Sequence, residues 1–267
     1  MNKERTNPLF QPLTIGKLEL KNRLVVAPMV SVFCDEDGMA TERYIAYHEE
    51  KAKGGWGTII TEDYVVDPAG RGFYCAGLWK DEQIDSHREL TERVKKYGTK
   101  VIAQIYHAGR QANGEVIGQQ KVSASPLPCP VMGGIPRELT EEEIKKIVSQ
   151  FGDTALRAKK AGFDGVEVHG AHGYLIAQFM SSYSNKRTDK YGGSLENRLR
   201  FPLEIVAEIR KKCGPDYFVG FRISANEFVP GGRDIEETKA AAVMLEKQGV
   251  DAIHVSAGTG GQTGLNA

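Results

Sequence analysis

Two histidines and a tyrosine, His169, His172 and Tyr174, stand close together at the end of one predicted strand. Neutral imidazole N–H groups can hydrogen-bond a carbonyl oxygen and stabilise negative charge that develops there. A tyrosine keeps its proton at pH 7 and can deliver it to carbon. The cluster therefore indicates proton-assisted chemistry beside a carbonyl group. Two other interpretations stay open: hydrogen-bonded loop residues, or a metal site whose third ligand would be His107 or Glu167.

Three further polar residues stand at the ends of other predicted strands. The amide of Gln104 suits the edge of a heterocycle, although a bond to a neighbouring strand would also satisfy it. Arg222 lies inside a strand, where a guanidinium needs an anion; the alternative is an ion pair with Glu167 or Glu227. Asp63 would bond either a ring N–H or an internal arginine. Together these side chains indicate a polar binding site.

The elements that carry these residues follow a repeated pattern. A charge-rich helical segment ends at a glycine, and a short apolar strand follows. Glycine adopts the left-handed conformation that ends helices, and a continuous apolar strand is typical of a sheet buried on both faces. The predicted strands are residues 24–27, 58–61, 100–103, 165–168, 218–221 and 252–255. Alternating strands and helices predict a parallel sheet covered by helices.

Two helices have a recognisable start. Residues 140–143 read Thr-Glu-Glu-Glu, and residues 234–237 read Asp-Ile-Glu-Glu. Both fit a capping box, in which the first side chain and the fourth each bond the other's backbone N–H. We therefore expect a helix to begin at each of these positions.

Two parallel architectures compete, the doubly wound sheet and the closed barrel. A dinucleotide-binding doubly wound sheet should show Gly-x-Gly-x-x-Gly after its first strand, but residues 28–31 read Pro-Met-Val-Ser. We therefore predict an α/β fold, a parallel TIM (β/α) barrel whose important polar residues lie at the carboxyl ends of strands. About six of the eight βα units are expected in this chain.

The composition excludes several classes of function. The 267 residues carry 35 basic and 35 acidic side chains, and this balance predicts no nucleic-acid partner. No apolar run is long enough to span a membrane, and no apolar segment follows the polar start, so we expect neither a membrane partner nor a secretory signal. The four cysteines are widely separated and are expected to be reduced thiols of a cytoplasmic protein.

Four motifs, at residues 21–29, 104–110, 169–174 and 184–198, resemble the Old Yellow Enzyme family of NADH:flavin oxidoreductases. The likeness is greatest to the 2-enoate and 2,4-dienoyl-CoA reductase branch. It covers nearly the whole chain, and residues 184–198 are its most distinctive part. The resemblance implies FMN as the cofactor, NADH or NADPH as the hydride donor and an enone or enoate as the substrate.

The resemblance also implies roles for individual residues. Gln104 would bond the pyrimidine edge of the flavin, and Arg222 would lie near its N1 and O2 atoms. His169 and His172 would hold the substrate's carbonyl oxygen, while Tyr174 would protonate its α-carbon. The remaining candidates for cofactor binding are Ala27, Pro28, Met29, Val30 and Asp63.

The resemblance further implies that residues 1–267 form one FMN-binding barrel domain whose last two βα units are missing. A [4Fe–4S] cluster and FAD are expected only if a longer parent chain exists. Open barrel edges would allow homo-oligomers to form. The expected activity is ene-reduction; the alternative is an inactive or assembly-prone barrel fragment without FMN.

Overall fold

A computed structural model describes residues 7–259 and contains one large parallel sheet of six strands. The strands are β3 (Val25–Val26), β4 (Thr58–Val65), β5 (Lys100–Tyr106), β8 (Gly165–Gly170), β9 (Phe218–Ser224) and β10 (Ala252–Ser256). Each pairs in parallel with its neighbours, in the order β10-β9-β8-β5-β4-β3. All six predicted strands are thus confirmed, and five of them extend beyond the predicted residues at their carboxyl ends.

The α-helices of the described residues are α1 (Glu42–Lys53), α2 (Ile84–Lys95), α3 (Gly114–Ile117), α4 (Glu141–Lys160), α5 (Leu175–Met180), α6 (Leu195–Cys213) and α7 (Ile235–Lys247). The five long helices, α1, α2, α4, α6 and α7, form a layer along the outer face of this sheet. The long helices contact one another in chain order, from α1 to α2, α4, α6 and α7. A sequential strand order with this helix order is the arrangement of a β/α barrel, so the predicted fold class is confirmed. No helix within residues 7–259 combines the length and the apolar character needed to cross a bilayer.

One of the two predicted capping boxes is complete. Thr140 accepts a hydrogen bond from the backbone N–H of Glu143, whose carboxylate accepts one from the N–H of Thr140. At the start of α7, Asp234 accepts from the N–H of Glu237. The Glu237 carboxylate instead pairs with Arg198 on α6, at 2.7 Å. The second box is therefore only half formed, because an ion pair between helices takes the side chain that would complete it.

Two small sheets were not predicted. β1 (Leu13–Ile15) and β2 (Leu18–Leu20) form an antiparallel pair, and β6 (Val122–Ser123) pairs with β7 (Arg137–Glu138) in parallel. Leu18 and Leu20 pack against Ile60 and Ile102 on the inner face of the large sheet. The β1–β2 pair thus covers part of the inner face near the amino ends of the strands.

Candidate active site

A cavity of about 280 Å³ lies at the carboxyl ends of the strands and brings nearly all the predicted site residues together. This strand-end cavity is lined by Pro28, Met29, Val30, Asp63, Phe73, Gln104, Gln111, His169, His172, Tyr174 and Arg222. Ala27 is the one predicted residue that does not line it. Ala27 instead lines a second, mainly apolar cavity of about 260 Å³ on the same inner face, here called the inner cavity.

Strand register explains why these side chains converge. Gln104 on β5 is level with Glu167 on β8, and His169 two residues later is level with Arg222 on β9. Because side chains alternate between the faces of a strand, residues two apart point to the same side. Gln104, His169 and Arg222 therefore all reach the inner face.

A β-bulge in β4 turns Asp63 towards the cavity. Ile60 pairs with Ile102 and Asp63 pairs with Gln104, so two residues of β4 oppose one residue of β5. The extra residue reverses the inward and outward alternation along the strand. Without the bulge, Asp63 would face the helices.

Glu62 is one of the residues in this bulge, and its carboxylate hydrogen-bonds two loops. Its carboxylate accepts hydrogen bonds from the Ser31 hydroxyl at 2.6 Å and from the backbone N–H of Ala76 at 3.2 Å. The Ser31 contact anchors the segment that carries Pro28, Met29 and Val30. Sequence reasoning missed this role, because it depends on the direction that the bulge gives to the side chain.

The two histidines form a hydrogen-bonded series that ends at Ser256. Nδ1 of His169 accepts from the backbone N–H of Ala171 at 3.3 Å, so its ring proton must be on Nε2. That nitrogen lies 3.3 Å from Nδ1 of His172, and Nε2 of His172 lies 2.6 Å from the Ser256 hydroxyl. The series fixes both tautomers, with each N–H directed to the next member.

Both imidazoles are held in the neutral form. Burial, with the neighbouring His172 and Arg222, lowers the pKa of His169 well below its ordinary value. Burial and Arg222 lower the pKa of His172 to about 4. His172 also has a left-handed backbone, with φ of 57°, which is uncommon for a residue other than glycine. These neutral donors suit a carbonyl oxygen, but an incoming oxygen must displace His172 or Ser256 as the acceptor.

Tyr174 lies beside His169 as a protected proton donor. Its ring packs edge-on against Tyr106 and His169, with centroid separations of 5.2 and 5.0 Å. Burial and the nearby Asp63 raise the pKa of its hydroxyl, so the group stays protonated at neutral pH. No hydrogen bond among residues 7–259 engages that hydroxyl. A ligand in the cavity can therefore receive its proton.

Arg222, which is half-buried, and Asp63, which is buried, are titratable groups that each have one unsatisfied buried atom. Nε of Arg222 and Oδ1 of Asp63 have no hydrogen-bond partner among the described residues. Burial, followed by Glu62, raises the pKa of Asp63 to about 8, while burial lowers the pKa of Arg222. The alternative ion pair between Arg222 and Glu227 does not form, because Glu227 lies 3.7 Å from Arg233 instead. Unsatisfied polar atoms aimed at one cavity indicate a polar ligand.

Gln104 bonds a neighbouring strand and still lines the cavity. Its Nε2 donates to Oε1 of Glu167 at 2.7 Å, so one of the interpretations left open by the sequence is correct. Glu167 also accepts from Nδ1 of His254 at 2.9 Å. The amide keeps its oxygen and one N–H for other partners.

Neither His107 nor Glu167, the two candidates for a third metal ligand, is free to join the histidine pair. His107 lines a different cavity beside Asp67, and Glu167 is engaged by Gln104 and His254. Across residues 7–259, no group of three or more His, Cys, Asp or Glu side chains is placed to hold a metal ion.

The sequence prediction missed two residues that line the strand-end cavity and two that bond side chains beside it. Phe73 lines the mouth, and Nε2 of Gln111 donates to the backbone oxygen of His172 at 2.8 Å. Ser256 and His254 come from β10 and reach His172 and Glu167. Of these four residues, only His254 and Ser256 could have been identified from the sequence, because polar residues two apart in an apolar strand share one face.

The family model described as "NADH:flavin oxidoreductase / NADH oxidase family" matches residues 8–260. The chain belongs to this family. An NADH oxidase of Thermoanaerobacter brockii is 50% identical over 253 residues, which is 94% of this chain and 39% of that protein. A cinnamate reductase of Clostridium sporogenes is 41% identical over 280 residues, covering 96% of this chain and 42% of that protein. The chain thus spans about two fifths of the length of these curated relatives.

Solved structures of related proteins have the same fold. A 2-naphthoyl-CoA reductase in complex with 2-naphthoyl-CoA superposes with a TM-score of 0.93 at 33% identity, over 96% of this chain and 41% of that one. An Old Yellow Enzyme homologue from Zymomonas mobilis superposes with a TM-score of 0.86 at 30% identity, over 94% of this chain and 74% of that one. The resemblance to the Old Yellow Enzyme family is therefore confirmed.

Proposed function

We propose that this chain is the catalytic barrel of an ene-reductase that transfers hydride from NADH or NADPH, through FMN, to the C=C bond of an α,β-unsaturated carbonyl compound. The observation that carries the proposal is the convergence of a histidine pair, a protonated tyrosine, a glutamine and an unpaired arginine on one strand-end cavity.

The residues present fit a flavin ring. FMN, when bound, would supply the hydride-transfer chemistry between a nicotinamide and the β-carbon of the substrate. Gln104 offers an amide oxygen and an N–H to the polar edge of the ring, and Arg222 offers an unpartnered buried Nε. Pro28, Met29 and Val30 supply backbone and apolar contacts along the ring, continued by the backbone of Ala27.

Asp63 has a less direct part in cofactor binding. With its pKa raised to about 8, its carboxyl group is largely protonated at neutral pH and can donate a hydrogen bond. We propose that it offers this donor, or its unsatisfied Oδ1, to the ring or to Arg222.

The substrate side of the cavity is proposed to act through His169, His172 and Tyr174. The imidazole N–H groups bind the carbonyl oxygen and stabilise the charge that develops as the double bond is reduced. Tyr174 donates its proton to the α-carbon. The cavity's apolar mouth, with Met29 and Phe73 exposed, suits the hydrocarbon part of an enone or enoate.

The test is reconstitution of the purified chain with FMN, followed by anaerobic reduction with each nicotinamide and exposure to a panel of unsaturated carbonyl compounds. Cinnamate belongs in that panel, because one relative is named as a cinnamate reductase. We expect yellow protein that NADH or NADPH bleaches and an enone or enoate reoxidises. Colourless, aggregating protein would instead support the alternative, a fragment without FMN.

The setting of this activity is also proposed. Four buried cysteines without disulfides are typical of a reducing compartment, which supports a cytoplasmic location. Balanced charge supports a small-molecule substrate rather than a nucleic acid. The proposal assigns neither an iron–sulfur cluster nor FAD to residues 7–259.

A further inference from the structure

Glu167 is a buried carboxylate that lies between two side chains of the inner face. It is 2% exposed on β8, two residues before His169. Its Oε1 accepts from Nε2 of Gln104 at 2.7 Å, and its Oε2 accepts from Nδ1 of His254 at 2.9 Å. It lines the inner cavity rather than the strand-end cavity. Glu167 is therefore not placed to touch a ligand in the strand-end cavity.

The Glu167 carboxylate determines the orientation of the Gln104 side-chain amide. A glutamine side chain can rotate by half a turn and exchange its oxygen and nitrogen, so its orientation depends on its partners. An ionised carboxylate only accepts hydrogen bonds, so Nε2 of Gln104 must face Glu167. The amide oxygen is thereby directed away from Glu167. A charge-assisted bond of this kind is about twice as strong as a bond between neutral groups.

We propose that Glu167 is a positioning residue that locks the Gln104 amide in the one orientation that offers its oxygen to an N–H of a bound heterocycle. The inference rests on the proposed function, because it takes FMN as that heterocycle. A flavin's polar edge has an N–H between two carbonyl oxygens, which a glutamine matches only when its oxygen faces the N–H.

His254 keeps Glu167 itself in place. It is level with Arg222 in the sheet, and its bond to Oε2 leaves Oε1 directed at Gln104. Ser256, two residues further along β10, bonds His172. Side chains of one edge strand thus reach both the support of the proposed flavin contact, through Glu167, and the proposed carbonyl site, at His172.

The first experiment is a double-mutant cycle on FMN affinity with the full chain. Glu167→Leu removes the acceptor and should weaken FMN binding about tenfold in the parent, because Gln104 can then turn either way. In a Gln104→Leu background the same substitution should change the dissociation constant by less than about twofold. Equal losses in both backgrounds would show that Glu167 supports only the fold, and would overturn the proposal.

Two further variants separate orientation from charge and from packing. Glu167→Gln still offers an oxygen to Gln104, and its N–H can donate to Nδ1 of His254 once the neutral imidazole carries its proton on Nε2 instead, so FMN affinity should stay close to that of the parent. A loss as large as that of Glu167→Leu would overturn the orientation argument. Ile253→Ala removes volume from the wall of the same inner cavity without touching these bonds, and should leave FMN affinity within about twofold.

A second measurement does not need the flavin. In the FMN-free protein, the side-chain amide protons of Gln104 should show an NMR signal shifted by the bond to Glu167 and protected from solvent exchange. Glu167→Leu should abolish both properties, and Glu167→Gln should retain the protection. A Gln104 signal unchanged by Glu167→Leu would overturn the proposal, whereas a parent chain that fails to bind FMN would contradict only the proposed function.

Discussion

Tyr174 provides the sharpest test of the proposed chemistry at the scale of single residues. Its hydroxyl is kept protonated by burial and bonds no described side chain. Tyr174→Phe should therefore slow reoxidation of the reduced protein by an enone about 10²- to 10⁴-fold, the usual contribution of a positioned proton donor. Flavin reduction by NADH should change by less than about threefold, because that step needs no proton from Tyr174.

Stopped-flow absorbance of the two half-reactions measures both rates on one sample. The ring contacts with Tyr106 and His169 remain possible for phenylalanine, so the variant should keep the fold. If both half-reactions slow equally, Tyr174 acts on the shape of the cavity and not as an acid.

Ser256 competes with the proposed substrate for the histidine N–H groups. Its hydroxyl lies 2.6 Å from Nε2 of His172. The proton on that nitrogen is the one that a carbonyl oxygen would need. Ser256→Ala should tighten binding of a carbonyl ligand by about three- to tenfold, since a hydrogen bond worth about 1 kcal/mol is no longer displaced. A ligand titration followed by absorbance gives the dissociation constants.

Ser256→Thr is the matched control, because it retains the hydroxyl. Nitrogen NMR of the imidazole should show His172 protonated on Nε2 in the parent and in the threonine variant. A threonine variant that binds as tightly as the alanine variant would refute the competition.

The polar residues at the strand ends could be predicted, but their supporting contacts could not. Gln104, Arg222 and His169 follow apolar runs, so their places along the chain mark them as strand-end groups. The bond from Gln104 to Glu167 and that from His172 to Ser256 depend on how far neighbouring strands are staggered. That stagger arises from packing between distant segments, which one sequence does not reveal.

At the scale of elements, the bulge in β4 places a carboxyl group in a poorly solvated position. Asp63 is 4% exposed, and its pKa is raised to about 8 from an ordinary value of 3.8. The folded protein therefore keeps a proton that the unfolded chain releases. The contribution of this group to stability is fully present below about pH 4 and is lost as the pH rises towards 8.

The substitution Asp63→Asn should remove the loss of stability that Asp63 causes as the pH rises. The variant should gain stability relative to the parent as the pH rises between about 4 and 8, by up to about a tenfold change in the unfolding equilibrium constant per pH unit. Urea denaturation of both FMN-free proteins at several pH values measures the difference. If the difference in stability between the two proteins does not change with pH, Asp63 is ionised in the folded protein, with Arg222 providing its counter-charge.

The helices and strands differ in how well local sequence determines them. The α4 start at Thr140 was predictable, because both halves of its capping box lie within four residues. The α7 start was only half predictable, since Glu237 pairs with Arg198 on another helix. The bulge in β4 gave no local signal, because Thr61, Glu62 and Asp63 contain neither glycine nor proline. Contacts between distant elements decided each of these differences.

At the scale of the whole molecule, the repeated rhythm of helix, glycine and strand was sufficient to predict the parallel architecture. The sequential order followed only from the choice of the barrel over the doubly wound sheet, and that choice rested on the missing glycine motif at residues 28–31. The rhythm did not predict the β1–β2 pair, whose short strands of three residues carry little periodic signal. Such a piece is stabilised by burying Leu18 and Leu20 against Ile60, and not by its own propensity.

The two outer strands of the large sheet predict self-association. Within residues 7–259, β3 and β10 each pair with another strand of this sheet on one side only. Val25 on β3 and Val255 on β10 are 43% and 63% exposed. An outer strand that carries exposed β-branched side chains favours pairing with a second chain. The full chain should therefore form dimers or larger species as its concentration rises.

Val255→Lys places a charge on the outer strand, which natural proteins use to prevent edge-to-edge pairing. It should shift the concentration dependence of the sedimentation coefficient towards the monomer. Val243→Lys is a suitable control, because Val243 is also a half-exposed valine, at 48%, but lies on the helix α7 and not on a strand. Equal effects of the two substitutions would mean that added charge alone reduces association. A parent chain that stays monomeric at every concentration would mean that these edges are not available for pairing.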